Sequence, residues 1–236
     1  MIIFHILTIF PSIFDSYFKE SILKIALKKK IIKINVYNLR DFTSDPHKRV
    51  DDRPFGGGPG MVLQLKPIYK AVRTIKRKIK KGQKIKIILL SAKGKEFNQK
   101  MARNFLKYEN LIFICGRYEG VDERVAKYIT DKEVSIGNYI LAGGELPALV
   151  IIEVITRLIP GVLGNIKSIE EKREETVFNN FPFSYPVYTR PAVFSPKKGV
   201  KWKVPRVLLS GHHKKIKEWR EKKMISNSQK NIKKEN

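Results

Sequence analysis

The sequence predicts an α/β protein built on a parallel sheet, and three observations carry that prediction. Between residues 2 and 141, short runs rich in Ile, Val and Phe alternate with segments whose apolar residues keep helical spacing. The first strand, helix and strand, residues 2–39, have the length of a βαβ unit. Three later strands end in glycine-bearing loops, Ser91–Gly94, Gly116–Gly120 and Gly137–Gly144. In a parallel sheet such ends lie on one side, where ligands bind.

Taken in order, residues 2–9 read as a buried strand, and Pro11-Ser12 opens a helix with Ile13, Phe14, Phe18, Ile22, Leu23, Ala26 and Leu27 on one stripe. A strand from Ile31 to Leu39 follows. Residues 45–61 have no apolar periodicity and are dense in turn formers, which marks a functional loop. Its glycine run is followed by Met61-Val62 rather than Lys-Ser/Thr, so Walker-type phosphate binding is excluded. Lys66 to Lys81 reads as a helix, and residues 70–86 hold nine basic residues and no acid. A solvated helix face usually mixes signs, so contact with phosphates stands beside plain solvation as a reading. Ile85–Leu90 is a strand, Glu96–Lys107 a helix, Leu111–Cys115 a strand and Val134–Leu141 a strand.

The stretch Ser135–Pro147 interrupts an apolar strand and the apolar helix Ala148–Ile159 with three glycines, a tyrosine and a proline. Glycine lets the main chain approach a bound molecule, which suits a ligand read by its adenine and ribose edges; an ordinary glycine turn is the alternative. The organisation predicted is a first domain over 1–164, a linker over 165–194 and a small, basic, mainly helical domain over 195–236, with a helix from His213 to Met224.

Composition narrows the class. The 236 residues are 42% hydrophobic, enough for a core, and the formal charge of +26 with a pI near 10.1 suits a protein that meets a polyanion, nucleic acid first. Compositional bias toward lysine is the alternative reading of that excess. A single cysteine, Cys115 in an apolar run, excludes a disulfide framework or a cysteine metal site within the chain. The apolar start lacks a basic leader and no run is long enough to span a bilayer, so a soluble, cytoplasmic protein is expected.

Five motifs occur in order along the chain: Asp51-Asp52-Arg53-Pro54-Phe55-Gly56-Gly57-Gly58-Pro59-Gly60-Met61, Cys115–Asp122, Ile136–Pro147, Tyr188-Thr189-Arg190-Pro191 and Val207–Gly211. Together they resemble the bacterial tRNA (guanine-N1)-methyltransferases that modify guanosine 37, a SPOUT-class family. The resemblance implies a sheet with helices on both faces, whose C-terminal part forms a deep trefoil knot, a rare exception to unthreaded topology. It implies a homodimer with active sites at the subunit interface and tRNA as partner. S-adenosyl-L-methionine would lie among the three loops, against Leu89, Leu90, Ser91, Gly116, Tyr118, Glu119, Ile136, Gly137, Tyr139, Leu141, Gly143, Gly144 and Pro147. Arg49, Asp51, Arg53 and Gly58 would hold the tRNA. Magnesium is often associated with the family, but no cluster in this sequence is assignable as its site.

Guanine N1 carries a proton and is a poor nucleophile until that proton leaves, so methyl transfer needs a carboxylate base and a cation near O6. By resemblance the cation is Arg157; a dipole-stabilising arginine at a helix end is the alternative. For the base, ungapped counting from Gly164 lands on Lys172, which is unsuited to the role. A three-residue insertion places Glu175 there, with Glu171 as second choice and a solvated acidic linker as the other reading. Asn138 stands where the family usually has aspartate. Two further readings stay open: an RNA-binding protein of this fold that has lost its base, and a SPOUT methyltransferase for another RNA position.

Overall fold

Alternation along the strands decides the architecture, because each strand sends successive side chains to opposite faces and both faces are apolar. The computed structural model describes residues 1–163, 177–178, 181–182 and 185–232. The chain forms two compact units, Met1–Gly164 and Asn165–Asn236.

In the first unit, strands β1 (Ile2–Thr8), β2 (Ile32–Asn38), β5 (Ile85–Glu96), β6 (Asn110–Cys115) and β7 (Lys132–Ser135) form one five-stranded sheet in the order β2-β1-β6-β5-β7. Every pairing in it is parallel. Helices α1 (Ser21–Lys28), α3 (Gln99–Phe105) and α5 (Glu145–Leu158) cover one face. There Phe4, Ile6, Ile88, Leu111 and Phe113 meet Leu23, Ala102, Ile151, Ile152 and Ile155. Helices α2 (Leu65–Lys78) and α4 (Glu123–Tyr128) cover the other, where Leu7, Ile87, Leu89, Ile112 and Ile114 meet Ile68, Ala71, Ile75 and Val125. The short strands β3 (Asp51–Asp52) and β4 (Val62–Leu63) pair antiparallel at the base of the glycine-rich loop.

Three elements depart from the sequence reading. The expected helix after Pro11 is two 3-10 turns, Pro11–Phe14 and Tyr17–Lys19, before α1 begins. The break falls where Glu20 is extended and Ser21 sits at φ +51, a left-handed conformation no helix interior accepts. The strand expected to reach Leu141 stops at Ser135. The Ser135 hydroxyl accepts from the Gly137 N–H at 3.2 Å and donates to its carbonyl at 2.8 Å, replacing the ladder with a turn. The strand expected over Ile85–Leu90 instead resumes after a bulge: Leu90 and Lys95 both pair with Val134, so residues 91–94 loop out of the sheet.

In the second unit, β8 (Val177–Phe178) pairs with β9 (Phe181–Pro182), and β10 (Val193–Lys197) with β11 (Val200–Lys203). The latter hairpin begins inside the stretch read as an irregular linker. It turns through Lys198-Gly199, with Gly199 at φ +81, and is held by the Phe194 and Trp202 rings at 5.6 Å. Helices α6 (Arg206–Leu209) and α7 (His213–Ile232) follow. Trp219 of α7 lies 6.4 Å from the Tyr188 ring.

His5, in β1, is a titratable group buried in the sheet. His5 is hydrogen-bonded through Nε2 to Asn110 Oδ1 and through Nδ1 to Tyr37 Oη, each at 3.2 Å. Burial depresses its pKa below the usual 6.5, with Lys33 and Lys78 acting in the same direction against the Asn110 bond. The folded state therefore binds the proton less readily than the unfolded chain, and stability falls as pH drops below about 6.5, levelling off below the folded-state pKa. Urea denaturation from pH 8 to 5 should show this decline in the wild type and a shallower one in His5→Gln.

Candidate active site at three strand ends

A cleft of about 440 Å³ opens at the bulge of β5 and the ends of β6 and β7. Leu89, Leu90 and Ser91 enter it from β5 at its bulge, and Gly116, Tyr118 and Glu119 from the loop after β6. Ile136, Tyr139, Leu141, Gly143 and Gly144 enter from the segment joining β7 to α5, and Pro147 from the first turn of α5. Of the residues expected to hold a cofactor, Gly137 alone is not in the lining. Tyr118 is held at φ +60, a conformation that costs a non-glycine residue energy and recurs at functional sites.

The loops are locked together by a buried ion pair absent from the sequence reading. Arg117 Nε donates to Glu145 Oε2 at 2.8 Å, and Thr8 Oγ1 donates to Glu145 Oε1 at 2.6 Å. The Glu145 side chain is 1% exposed and lies in the first turn of α5, where the helix dipole also favours a negative charge. The Arg117 guanidinium lies 4.7 Å from the centre of the Phe10 ring. The Gly144 N–H donates to the Gly116 carbonyl at 2.9 Å, and a Cβ on Gly144 would stand 2.7 Å from Cys115 Cα. Only glycine fits that crossing. Beneath it, burial and the neighbouring Glu145 push the Cys115 thiol well above its usual pKa, so it stays protonated and unreactive.

The glycine-rich loop docks on this assembly. Glu119 N–H donates to Met61 O at 3.0 Å, and Leu63 N–H to Gly120 O at 3.0 Å. A Cβ on Gly60 would lie 2.6 Å from Glu119 Cγ, so the glycine makes room for that carboxylate. At the cleft rim Lys93 Nζ and Glu123 Oε2 pair at 2.6 Å. A second hollow, of about 490 Å³, includes Arg49 and Asp51 in its walls but neither Arg53 nor Gly58. Arg49 there is clamped to Asp45, Nη2 to Oδ1 at 2.9 Å, which holds the Asp45 carboxyl well below the usual carboxylate range. Arg53 and Gly58 lie exposed on the loop itself.

Arg157 lies in the last turn of α5 and is not part of the cleft lining. Ten residues separate it from Pro147, about 15 Å along the helix axis. Glu175, Glu171 and Lys172 lie outside the described residues. Among the described residues no group of three or more His, Cys, Asp or Glu side chains is placed to hold a metal, and no helix is long and apolar enough to cross a membrane.

A family model described as tRNA (Guanine-1)-methyltransferase TrmD matches residues 2–234. The chain belongs to the tRNA (guanine-N1)-methyltransferase family. It is similar to the tRNA (guanine-N(1)-)-methyltransferase of Clostridioides difficile, 50% identical over 94% of this chain and 92% of that protein. The one from Carboxydothermus hydrogenoformans is 50% identical over 94% of this chain and 83% of its own length. Among solved structures, the tRNA (m1G37) methyltransferase of Aquifex aeolicus matches with a TM-score of 0.76 and 40% identity, covering 99% of this chain and 92% of that one. The cleft at three strand ends is thus a feature of a tRNA (guanine-N1)-methyltransferase.

In this methyltransferase, removing Arg117 leaves a buried carboxylate with Thr8 as its remaining partner. Arg117→Ala should lower stability by about 3–5 kcal/mol. Adding Glu145→Gln to that variant should recover part of the loss, because the uncompensated charge is then gone; chemical denaturation of the cycle measures both.

Proposed function

We propose that the protein transfers a methyl group from S-adenosyl-L-methionine to N1 of guanosine 37 in tRNA. The observation that carries this reading is the single cleft formed by three strand-end loops in a chain of the guanine-N1 methyltransferase family. Position 37 rests on the Aquifex aeolicus relative, a tRNA (m1G37) methyltransferase.

The lining fits the methyl donor. Leu89, Leu90, Ile136, Leu141 and Pro147 offer apolar surface to a purine ring, the glycine loops offer main-chain donors and acceptors, and Glu119 offers a carboxylate. Its volume of about 440 Å³ falls within the range of small-molecule sites, about 300–1,000 Å³. When bound, S-adenosyl-L-methionine supplies an electrophilic methyl group on a sulfonium leaving group. Glu175 takes the N1 proton, and Arg157 faces O6 as negative charge develops there. Arg49, Asp51, Arg53 and Gly58 hold the anticodon arm beside the cleft. The basic residues of 195–236 bind the rest of the tRNA, with 165–194 carrying the base between the two domains. A cytoplasmic location follows from the tRNA substrate. No residue is assigned to magnesium.

The position of Arg157 supports a homodimer with shared sites. Leu146 and Val150 of α5 are 56% and 43% exposed at i, i+4 spacing, and the same side of the helix runs on to Arg157. Tyr17, hydrogen-bonded to Glu153, and Ile13 extend the apolar surface. Antiparallel packing of two such helices about a two-fold axis sets the partner's Arg157 beside Pro147 of this chain. A deep trefoil knot in the C-terminal part of the sheet, as the family resemblance implies, belongs to the same reading.

Labelled methyl incorporation into tRNA tests the reaction. Incorporation should require guanosine 37; equal incorporation into tRNA bearing adenosine there would overturn the position, and none into either would overturn the activity. Arg157→Ala should lower kcat about 10²–10³-fold, and Glu175→Gln about 10²–10⁴-fold; unchanged turnover in Glu175→Gln refutes that assignment. Val150→Glu should convert the dimer to a monomer in sedimentation experiments, with turnover lost alongside.

A further inference from the structure

A second surface on the first unit carries a charge pattern that the cleft does not use. Along α2, Tyr69, Arg73, Lys76 and Arg77 fall at i, i+4, i+7 and i+8, on one stripe, and with Tyr128 at the end of α4 they line a groove of about 440 Å³. Among the described residues Arg73, Lys76 and Arg77 form no ion pair. The opposite helix dipole end explains cations in the last turn, at Lys76 and Arg77, but not Arg73 a turn earlier. Nor does it explain the absence of any acid from residues 70–86. Tyr69 and Tyr128 are 51% and 71% exposed, leaving aromatic faces beside the cations.

We propose that this groove between α2 and α4 is an RNA-backbone site that binds phosphates of the tRNA outside the methylated position. Unpaired guanidinium and ammonium groups next to exposed rings suit phosphates with an accompanying base or ribose, whereas an acidic protein surface would not call for the two rings. The groove and the cleft share α4: Glu123 and Ala126 line the cleft, and Tyr128, with Ile129 just past the helix end, lines the groove. The six residues of α4 span about 9 Å. That is between two and three rises of a stacked strand at about 3.4 Å each, so one RNA strand reaches both. The inference rests on tRNA being the substrate of the cleft.

The test compares the full chain with an Arg73→Gln/Lys76→Gln/Arg77→Gln variant, using anisotropy of labelled tRNA across a salt series and methylation kinetics on the same tRNA. Losing three phosphate contacts should reduce the slope of log affinity against log salt by about 2 and raise KM about tenfold or more, with kcat at saturating tRNA unchanged. Arg73→Lys/Arg77→Lys should keep the parental slope, since charge rather than shape is retained. An unchanged slope in the triple variant overturns the groove, as does a fall in kcat with no change in slope. A wild-type protein that binds tRNA without methylating it would remove the proposed reaction and leave this inference to stand or fall on the binding slopes; a wild type that binds no tRNA removes both.

Discussion

The buried carboxylate of Glu145 is the constraint on which the cleft depends. A charge placed in a protein interior is tolerated only with good partners, and Glu145 has two from different parts of the chain, Thr8 on β1 and Arg117 on the loop after β6. Its place in the first turn of α5 adds the dipole of that helix. One side chain therefore ties a strand, a loop and a helix into a single geometry. The Gly144 to Gly116 main-chain bond beside it repeats the connection at the level of the backbone. Loops that would otherwise move independently become the walls of one cleft.

Everything beneath that junction serves to bring the loops there. Parallel strands covered on both faces deliver their C-terminal ends to the same side of the sheet, and the two apolar cores leave those ends little freedom. The floor is chemically quiet, since the Cys115 thiol is held protonated by burial. Polar character enters from the rim, through Glu119 against Gly60 and through the Lys93–Glu123 pair. Such a division, apolar walls with a few convergent polar groups, is what orients a small ligand.

Cations are distributed differently. The cleft lining carries few, while α2 presents Arg73, Lys76 and Arg77, which form no ion pair among the described residues, across α4 from it. A neutral pocket beside a basic surface separates two tasks: a small ligand is read by shape and hydrogen bonds, and a polyanion is held by charge. Arg157 belongs to neither region within one chain, and the apolar stripe leading to it along α5 is the feature that the proposed dimer accounts for.

Much of this was legible in the residues. The order of the five sheet strands and of α1, α2, α3 and α5, the gathering of three glycine loops and the family resemblance all follow from local pattern, because apolar periodicity and glycine placement are properties of neighbouring residues, whereas α4 and the β3–β4 pair were not read. The signals that failed were equally local in origin: the helix break at Ser21 and the strand end at Ser135 arise from single backbone conformations that apolar spacing does not register. The hairpin at Val193–Lys203 was hidden by the prolines around it, although Lys198-Gly199 marks its turn. By itself, then, the sequence determined the α/β class, the three loops and the excess of positive charge. Only the tertiary structure decided that Arg117 meets Glu145, that Gly60 yields to Glu119, that Gly137 leaves the lining, and that Tyr128 joins the basic stripe of α2. Arg117 and Glu145 stand 28 positions apart and the other contacts join different elements, and no local pattern encodes a contact made by packing.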